Sequence, residues 1–275
     1  MATEPPVATG LIATKGIELL TFPTINGFKA SILLEELRDA YGIDYTWQSI
    51  NLGKNVQKEP WFTAINPNGR IPAIVDHDRG GLAVFEGLAI LNYLARRFDT
   101  EFRFSFNPAT EPEELAIAES WLAWQHGGLG PMQGQAVVLL RFNSDKSGPF
   151  AIQRYVGKAE RHLGVLDRRL ADRDYIAGAG RGKYSIVDMA TVGWASIMEI
   201  AGVDTSLFPN VKAWVKRCTA RTATARGMTI PSPTLWADVD REKRLATPEA
   251  VAQEKALMDL VAEAQKQYDY KYKSP

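Results

Sequence analysis

The sequence predicts a two-part protein, in which an α/β half is followed by an all-helical half. Between residues 17 and 98, short apolar runs typical of strands alternate with helical patterns, and turns rich in glycine and proline separate them. After Asn107-Pro108 the strand patterns almost vanish and helical periodicity dominates. We therefore expect the linker between the two halves near residues 99–110.

The composition argues against several classes of protein. With 32 Lys+Arg and 32 Asp+Glu among 275 residues, the formal net charge is zero, which argues against a nucleic-acid binder held by phosphate contacts. A single cysteine excludes an intramolecular disulfide framework and a cysteine zinc cluster. The three histidines are scattered and none forms an HExxH pattern, so no histidine-based metal site is expected.

The sequence predicts a cytoplasmic protein. No apolar run approaches the roughly 20 residues that a membrane-spanning helix needs. The N-terminal residues include Glu4 and two prolines, and they lack the basic start and apolar stretch of a signal peptide. We therefore expect a soluble chain in a reducing compartment.

A β-α-β unit opens the first half. Residues 17–22 form an apolar strand, 23–27 a turn, and 28–41 a helix with apolar side chains on one face. Gly42 ends that helix, and residues 45–50 form a second, aromatic strand. Strands joined in this way pair in parallel through a right-handed crossover.

Two more strands and a helix complete the first half. A strand is predicted over residues 71–75, and Pro72 stands near its start, where proline is tolerated and the X-Pro bond is sometimes cis. A glycine turn leads to a strand over 82–85, and a helix follows over 87–98. The predicted order is β-α-β, loop, β-β-α.

Helices account for the second half. The glycine cluster at 127–134 looks like a phosphate loop, but no strand precedes it and no Lys-Ser/Thr follows, so we expect a helix break. Ser185 and Asp188 have capping-box spacing, and Thr247 with Pro248 suits a helix start. Predicted helices cover residues 111–125, 151–170, 185–201, 211–218 and the segment from 248 onward.

Five sequence blocks together resemble one family. They are Pro23-Thr24-Ile25-Asn26-Gly27, Leu52-Gly53-Lys54, and residues 66–76, 121–135 and 208–214. Each block alone is a weak signal, but the combination resembles the nu-class and yeast nitrogen-regulator-like group of the glutathione transferase superfamily. The resemblance covers about residues 16–230.

The resemblance implies a domain layout, a cofactor and partners. It implies a thioredoxin-like glutathione-binding domain at residues 16–100, an all-helical domain at 108–235 and a C-terminal helical extension at 236–275. The cofactor is glutathione, and the other substrate is a small-molecule electrophile. A homodimer is also implied, because Arg154 matches an arginine that reaches the site from the partner subunit.

The resemblance also assigns glutathione-binding residues, and the chemistry of the residues fits. The backbone of Ile71, before Pro72, can pair with the extended cysteinyl part of the tripeptide. Free N–H groups at Glu86-Gly87, where a strand runs into a helix, favour the γ-glutamyl carboxylate. The residues assigned to the other carboxylate are Gln57 and Arg70.

The residues assigned to catalysis are Asn26 and Thr24, at the start of the first helix. A thiol placed there loses its proton more easily, because the helix dipole and nearby donors stabilise the thiolate. The Asn26 amide and the Thr24 hydroxyl can both donate, and neither is a base. The expected mechanism is thiolate stabilisation.

Two positions depart from the family pattern. Gly87 stands where the family has serine, so one hydrogen bond to glutathione, worth about 1 kcal/mol, is missing and binding should be weaker. Ile25 stands where the family usually has proline, which should loosen the turn slightly.

Four functions remain open at this point. The first is addition of the glutathione thiolate to an electrophile. The second is reversible addition to a conjugated olefin, which gives cis–trans isomerisation in secondary metabolism. The third is reduction of glutathione disulfides. The fourth is a non-catalytic regulator, which is disfavoured because only about fifteen residues precede the first strand and they are not rich in asparagine or glutamine.

Overall fold

The computed structural model describes residues 7–233 and 244–273, which divide into two compact units. The first unit contains residues 7–112 and 219–233, and the second contains 113–218 and 244–273. This division differs from the predicted domain limits. Segment 219–233 belongs with the α/β part, and the C-terminal helix belongs with the helical part. The predicted limit at 235–236 lies outside the described residues.

Four strands form the sheet of the first unit, in the order β2-β1-β3-β4. β1 (Ile17–Thr21) pairs in parallel with β2 (Tyr45–Ser49), which confirms the predicted β-α-β unit. β3 (Ala73–Asp76) pairs antiparallel with β1, and β4 (Leu82–Phe85) pairs antiparallel with β3. Every residue of β1 is buried, as expected for a central strand, and these residues include the charged Glu18.

Three helices follow the strands of this unit in chain order. α1 (Ile25–Tyr41) carries the apolar face predicted from its sequence, and Gly42 ends it in the left-handed conformation with φ of 68°. The Gly42 N–H donates to the carbonyl of Arg38, so the predicted C-terminal cap is confirmed. The other two helices are α2 (Pro60–Ile65) and α3 (Gly87–Phe98).

A long helical stretch opens the second unit. α4 (Pro112–Trp124) runs through a π-helical turn at Gln125–Leu129 into α5 (Gly130–Val137), and a second π-helical turn follows at Val138–Phe142. The helix therefore widens where a break was predicted, and that prediction is wrong. Glycine is compatible with a π-helical turn, and nothing in the local sequence distinguishes widening from termination.

Gly128 shows why small residues are needed in this turn. A β-carbon at Gly128 would lie 2.6 Å from Nε2 of His162, which is closer than any real contact. The glycine thus lets the widened turn rest directly against the histidine ring, and a larger side chain would have to displace it.

Three further helices complete most of the second unit: α6 (Pro149–Arg169), α7 (Ile186–Ser196) and α8 (Pro209–Thr219). The Ser185 side chain accepts from the helix backbone and the Asp188 side chain accepts from the Ser185 N–H, so the predicted capping box is confirmed. α7 ends earlier than expected, at Ser196.

Segment 219–233 packs on α1 through long-range ion pairs. It contains α9 (Thr222–Gly227). The Arg221 guanidinium donates twice to Glu36, each time at 2.7 Å, and Arg226 Nε donates to Glu35 at 2.6 Å. These pairs join residues that are 185 and 191 positions apart in the sequence, so no local sequence pattern predicts them.

The C-terminal helix α10 (Pro248–Gln267) packs against α6 in the second unit. The Thr247 side chain accepts from the Ala250 N–H at 3.2 Å, which confirms the predicted start of this helix. Arg141 forms two hydrogen bonds to the Glu254 carboxylate, at 2.6 and 3.0 Å. In the described part of the chain, no helix is both long and apolar enough to cross a membrane.

Candidate active site

The site begins where β1 leads into α1, at Thr24. Its backbone is extended, and its hydroxyl oxygen accepts from the Gly27 N–H at 3.2 Å. Because that bond uses only an oxygen lone pair, the hydroxyl proton remains available for a second acceptor. The first turn of α1 contains no acidic residue, so the positive end of the helix dipole is not offset locally.

Asn26 is the second residue of α1, and its side chain is exposed. The next residue, Gly27, fixes the position of this turn. A β-carbon there would lie 2.4 Å from the Phe22 carbonyl oxygen and 2.5 Å from Thr21 Oγ1. The start of α1 is therefore packed tightly against the end of β1, and the Asn26 amide extends from a rigid base.

Ile71 and Pro72 lie just before β3. The pairing of β3 begins at Ala73, so both residues precede the ladder, and their peptide bond is cis as the sequence suggested. The Asn66 side chain donates to the Arg70 carbonyl at 2.6 Å, which holds the approach to the strand in place. A short stretch of backbone is thus presented beside the sheet without being part of it.

Gln57 and Arg70 lie on neighbouring loops. Lys58 Nζ donates to the Gly69 carbonyl at 2.8 Å, and this bond ties the loop after β2 to the loop before β3. The Arg70 side chain is exposed, and Gln57 is half-buried. Both side chains are polar, and Arg70 adds a positive charge to this edge of the unit.

Glu86 and Gly87 form the junction between β4 and α3. Glu86 caps α3 with φ of 68°, an uncommon conformation for a residue other than glycine. The Asn68 side chain donates to Glu86 Oε1 at 3.2 Å. Gly87 is buried as the first residue of α3. Strained backbone of this kind is concentrated at functional sites, where the surroundings hold it in place.

Lys29 is the residue that sequence analysis missed. It lies on α1, one turn after Asn26, and it is only 4% exposed. A β-carbon at Gly87 would lie 3.3 Å from Lys29 Cδ, so the lysine stem runs directly beside the Gly87 backbone. Burial lowers the pKa of Lys29 to about 8, although the nearby Glu86 carboxylate favours its charged form. Its position in the sequence, among apolar helix residues, gives no signal of this placement.

These contacts connect the predicted residues of the first unit into one region. α1 carries Thr24, Asn26 and Lys29, and Lys29 in turn contacts Gly87. The Glu86 side chain continues this chain of contacts to the loop before β3. The region holds a buried cation, two helix N-termini and a segment of backbone beside a sheet. This set suits an extended, anionic ligand.

Two other predicted residues lie in the second unit. Arg154 is on α6 with an exposed side chain, and its assigned role across a subunit interface stays a prediction. Cys218 is completely buried in α8, which confirms the prediction of a core cysteine and leaves no thiol nucleophile at the surface. Among the described residues, no group of histidine, cysteine or acidic side chains is arranged to hold a metal ion.

The fold defines a thioredoxin-like α/β unit, which carries the candidate site, followed in the chain by an all-helical unit. Comparison with known protein families agrees with this two-part fold. Residues 15–96 match the glutathione S-transferase N-terminal domain, and residues 149–217 match the glutathione S-transferase C-terminal domain. The chain belongs to the glutathione S-transferase family.

Two curated relatives are similar over most of their length. The chain is 38% identical to the disulfide-bond oxidoreductase YfcG of Escherichia coli, over 77% of this chain and 94% of that protein. It is 36% identical to the glutathione S-transferase-like protein tpcF of Aspergillus fumigatus, over 73% of this chain and 89% of that protein.

Solved structures show the same fold. A glutathione transferase homolog from Lodderomyces elongisporus, solved with two glutathione molecules per subunit, has a TM-score of 0.71 and 35% identity, over 79% of this chain and 99% of that one. A glutathione transferase from Pseudomonas putida, solved with glutathione disulfide, has a TM-score of 0.70 and 31% identity, over 79% of this chain and 93% of that one.

Proposed function

We propose that this protein is a glutathione-dependent enzyme that adds the glutathione thiolate to an electrophilic small molecule. Asn26 and Thr24 stabilise the thiolate. Ile71, Pro72, Gln57, Arg70, Glu86 and Gly87 hold the tripeptide. In the reaction a carbon–sulfur bond forms, the leaving group departs with its electron pair, and the thiol proton passes to water.

The observation that carries this proposal is the geometry of Thr24. Its oxygen already accepts from Gly27 N–H, so its proton can be donated only to a further acceptor. The exposed Asn26 amide provides a second donor two residues later. A sulfur atom beside this turn would meet two donors and a helix N-terminus, and no residue there is suited to act as a base.

Replacing Asn26 with alanine is expected to raise the pKa of bound glutathione and to slow conjugation at neutral pH by about tenfold, since one hydrogen bond to an anion is lost. The measurement is the ultraviolet absorbance of the thiolate against pH, together with kcat/KM for chlorodinitrobenzene. Asn107→Ala, a change outside this region, is the control. An unchanged thiol pKa in Asn26→Ala would remove Asn26 from the mechanism.

Replacing Gly87 with serine is expected to tighten glutathione binding several-fold. The added hydroxyl would supply one hydrogen bond, worth about 1 kcal/mol, to the γ-glutamyl carboxylate. The new β-carbon would lie 3.3 Å from Lys29 Cδ, so the flexible lysine stem must shift by a few tenths of an ångström. Calorimetric titration of both proteins gives the comparison, and weaker binding by the serine variant would mean that Lys29 cannot shift.

Reduction of disulfides is the second candidate function. It is favoured by the 38% identity to a disulfide-bond oxidoreductase and by similarity to a structure solved with two glutathione molecules per subunit. The first glutathione thiolate would attack the disulfide and release one thiol. The second would attack the mixed disulfide, giving glutathione disulfide and the other thiol. Hydroxyethyl disulfide is the test substrate, and the ratio of its turnover to chlorodinitrobenzene turnover separates the two functions.

Isomerisation in secondary metabolism uses the same thiolate. Addition to a conjugated olefin, bond rotation and loss of glutathione leave the cofactor unchanged, so glutathione would not be consumed.

We also propose a homodimer in which Arg154 approaches the partner's site. A monomeric protein in sedimentation experiments would contradict that arrangement.

A further inference from the structure

The C-terminal helix α10 covers a cavity in the second unit. The cavity has a volume of about 500 Å³ and lies between α6, the segment of residues 199–205 and α10. We call it the acidic cavity, and its defining residues are Glu160, Val203, Asp204, Thr205, Met258 and Val261. Its wall combines three carboxylates, those of Glu160, Glu199 and Asp204, with an apolar surface.

Glu160 is the unusual member of this lining. It is 4% exposed, and its Oε1 accepts one long hydrogen bond, at 3.4 Å, from Gln265 Nε2. Its Oε2 is buried and accepts no hydrogen bond from the described residues. Burial raises the pKa of Glu160, and the Asp204 carboxylate raises it further. A buried carboxylate with a bare oxygen normally has a cation or additional donors beside it.

The neighbouring Tyr270 supplies no positive charge to this carboxylate. Its hydroxyl lies 3.3 Å from the Gly157 carbonyl oxygen, and a hydrogen bond between Tyr270 and Glu160 opposes part of the rise in the pKa of Glu160. A phenol with its proton is neutral, so this hydrogen bond leaves the charge of an ionised Glu160 unpaired.

The arginines nearby are already engaged. Arg141 is paired with Glu254, and Arg244 lies 2.7 Å from the Glu199 carboxylate. The third carboxylate of the lining, Glu199, thus has its cation. Within the described residues, no lysine, arginine or histidine lines the cavity. Glu160 and Asp204 face it without a charge partner from the lining.

We propose that the acidic cavity binds a small primary ammonium ion that carries a short apolar chain. The ammonium group would donate to Glu160 Oε2 and to Asp204 at the mouth, and the chain would pack against Val203 and Met258. A metal ion fits less well, since it needs several oxygen ligands at once and much of this wall is apolar. The ligand would bridge α6, the 199–205 segment and α10, so binding would stabilise the docked C-terminal helix.

The test is calorimetric titration of the full chain with n-butylammonium chloride, with n-butanol as the uncharged analogue. Wild type is expected to bind the ammonium ion and to show no heat of binding with butanol. Glu160→Gln is expected to bind at least about tenfold more weakly, because a charge-assisted hydrogen bond is lost. The matched control is Glu263→Gln, an exposed change on α10 outside the lining, which should bind like wild type.

Three results would overturn the proposal. They are no binding of n-butylammonium to wild type at roughly tens of millimolar, equal binding of butanol, and unchanged binding in Glu160→Gln. If Glu160→Gln does not fold, Asp204→Asn takes its place. Asparagine can keep the cap on the Ser206 N–H, now 2.9 Å from Asp204 Oδ1, and this variant should bind several-fold more weakly. Unchanged binding of n-butylammonium by Asp204→Asn would also overturn the proposal.

Discussion

Replacing Lys29 with methionine is expected to weaken glutathione binding by about 100-fold at pH 7, which corresponds to about 3 kcal/mol. We expect Lys29, whose stem lies beside Gly87, to reach the γ-glutamyl carboxylate with its ammonium group. A charge-assisted bond of this kind is strongest in a medium of low dielectric. Methionine has a similar shape and keeps the packing against Gly87. The measurement is calorimetric titration, with the exposed Lys15→Met as the matched control.

The same substitution should not destabilise the protein without ligand. Burial lowers the pKa of Lys29 from 10.5 to about 8 in the folded state. A lowered lysine pKa means that protonation favours the unfolded chain, so this group costs stability at pH 7 and that cost is lost as pH rises from 8 to 10.5. Lys29→Met should therefore unfold at the same or a higher temperature. A lower Tm with weaker binding would indicate only damaged packing.

Affinity should also depend on pH through Lys29. In wild type, binding of an S-alkyl glutathione, which has no thiol proton, should weaken as pH rises through about 8, where Lys29 loses its charge. Lys29→Met should lack this part of the pH profile. Parallel profiles for the two proteins would mean that the lysine does not face the ligand.

Replacing Asp188 with alanine is expected to lower the free energy of unfolding by about 3–5 kcal/mol, since it leaves several buried donors without an acceptor. Asp188 is completely buried. It accepts from the Trp214 indole at 2.9 Å, the Ser185 N–H at 3.0 Å and the Ile176 N–H at 3.1 Å. The measurement is urea denaturation.

Asp172→Ala, a change at an exposed position, is the control and should alter the free energy of unfolding by no more than about 0.5 kcal/mol.

Burial raises the pKa of Asp188 from 3.8 to about 6. Because the folded value is the higher one, protonation favours the folded state, and this stability is lost as pH rises through 6. The stability difference between wild type and Asp188→Asn should therefore grow from pH 7 to pH 5. A difference in the free energy of unfolding that stays constant between pH 7 and pH 5 would contradict the raised pKa of Asp188.

Local sequence chemistry predicted the parts of the fold that depend on neighbouring residues. The β-α-β unit follows from apolar runs and turns, and the cap at Gly42 and the box at Ser185-Asp188 follow from residue types at fixed spacing. The return of 219–233 to α1 was missed, since Arg221 and Glu36 meet only after folding. The π-helical turn was not predicted, because Gly128 is needed there only for its contact with His162, which lies far away in the sequence.

The residues of the candidate site also fall into two groups, those that local sequence predicts and those that only tertiary packing places. Thr24 and Asn26 were identified from a block that marks a helix start, and the structure places them on one turn. Lys29 was not identified, since a lysine on an amphipathic helix ordinarily lies in solvent and only the packing of α1 against α3 buries it. The position of Lys29 beside Gly87 follows from tertiary packing, so no local sequence pattern indicates it.

The central claim is that the start of α1 and the junction at Gly87 form a working glutathione site. Calorimetric titration of the purified protein with reduced glutathione tests it most directly. We expect saturable binding with one molecule or more per chain, at a Kd between about a micromolar and a few millimolar. No detectable heat of binding under the same conditions would contradict it, and would favour an interaction protein built on the glutathione transferase fold.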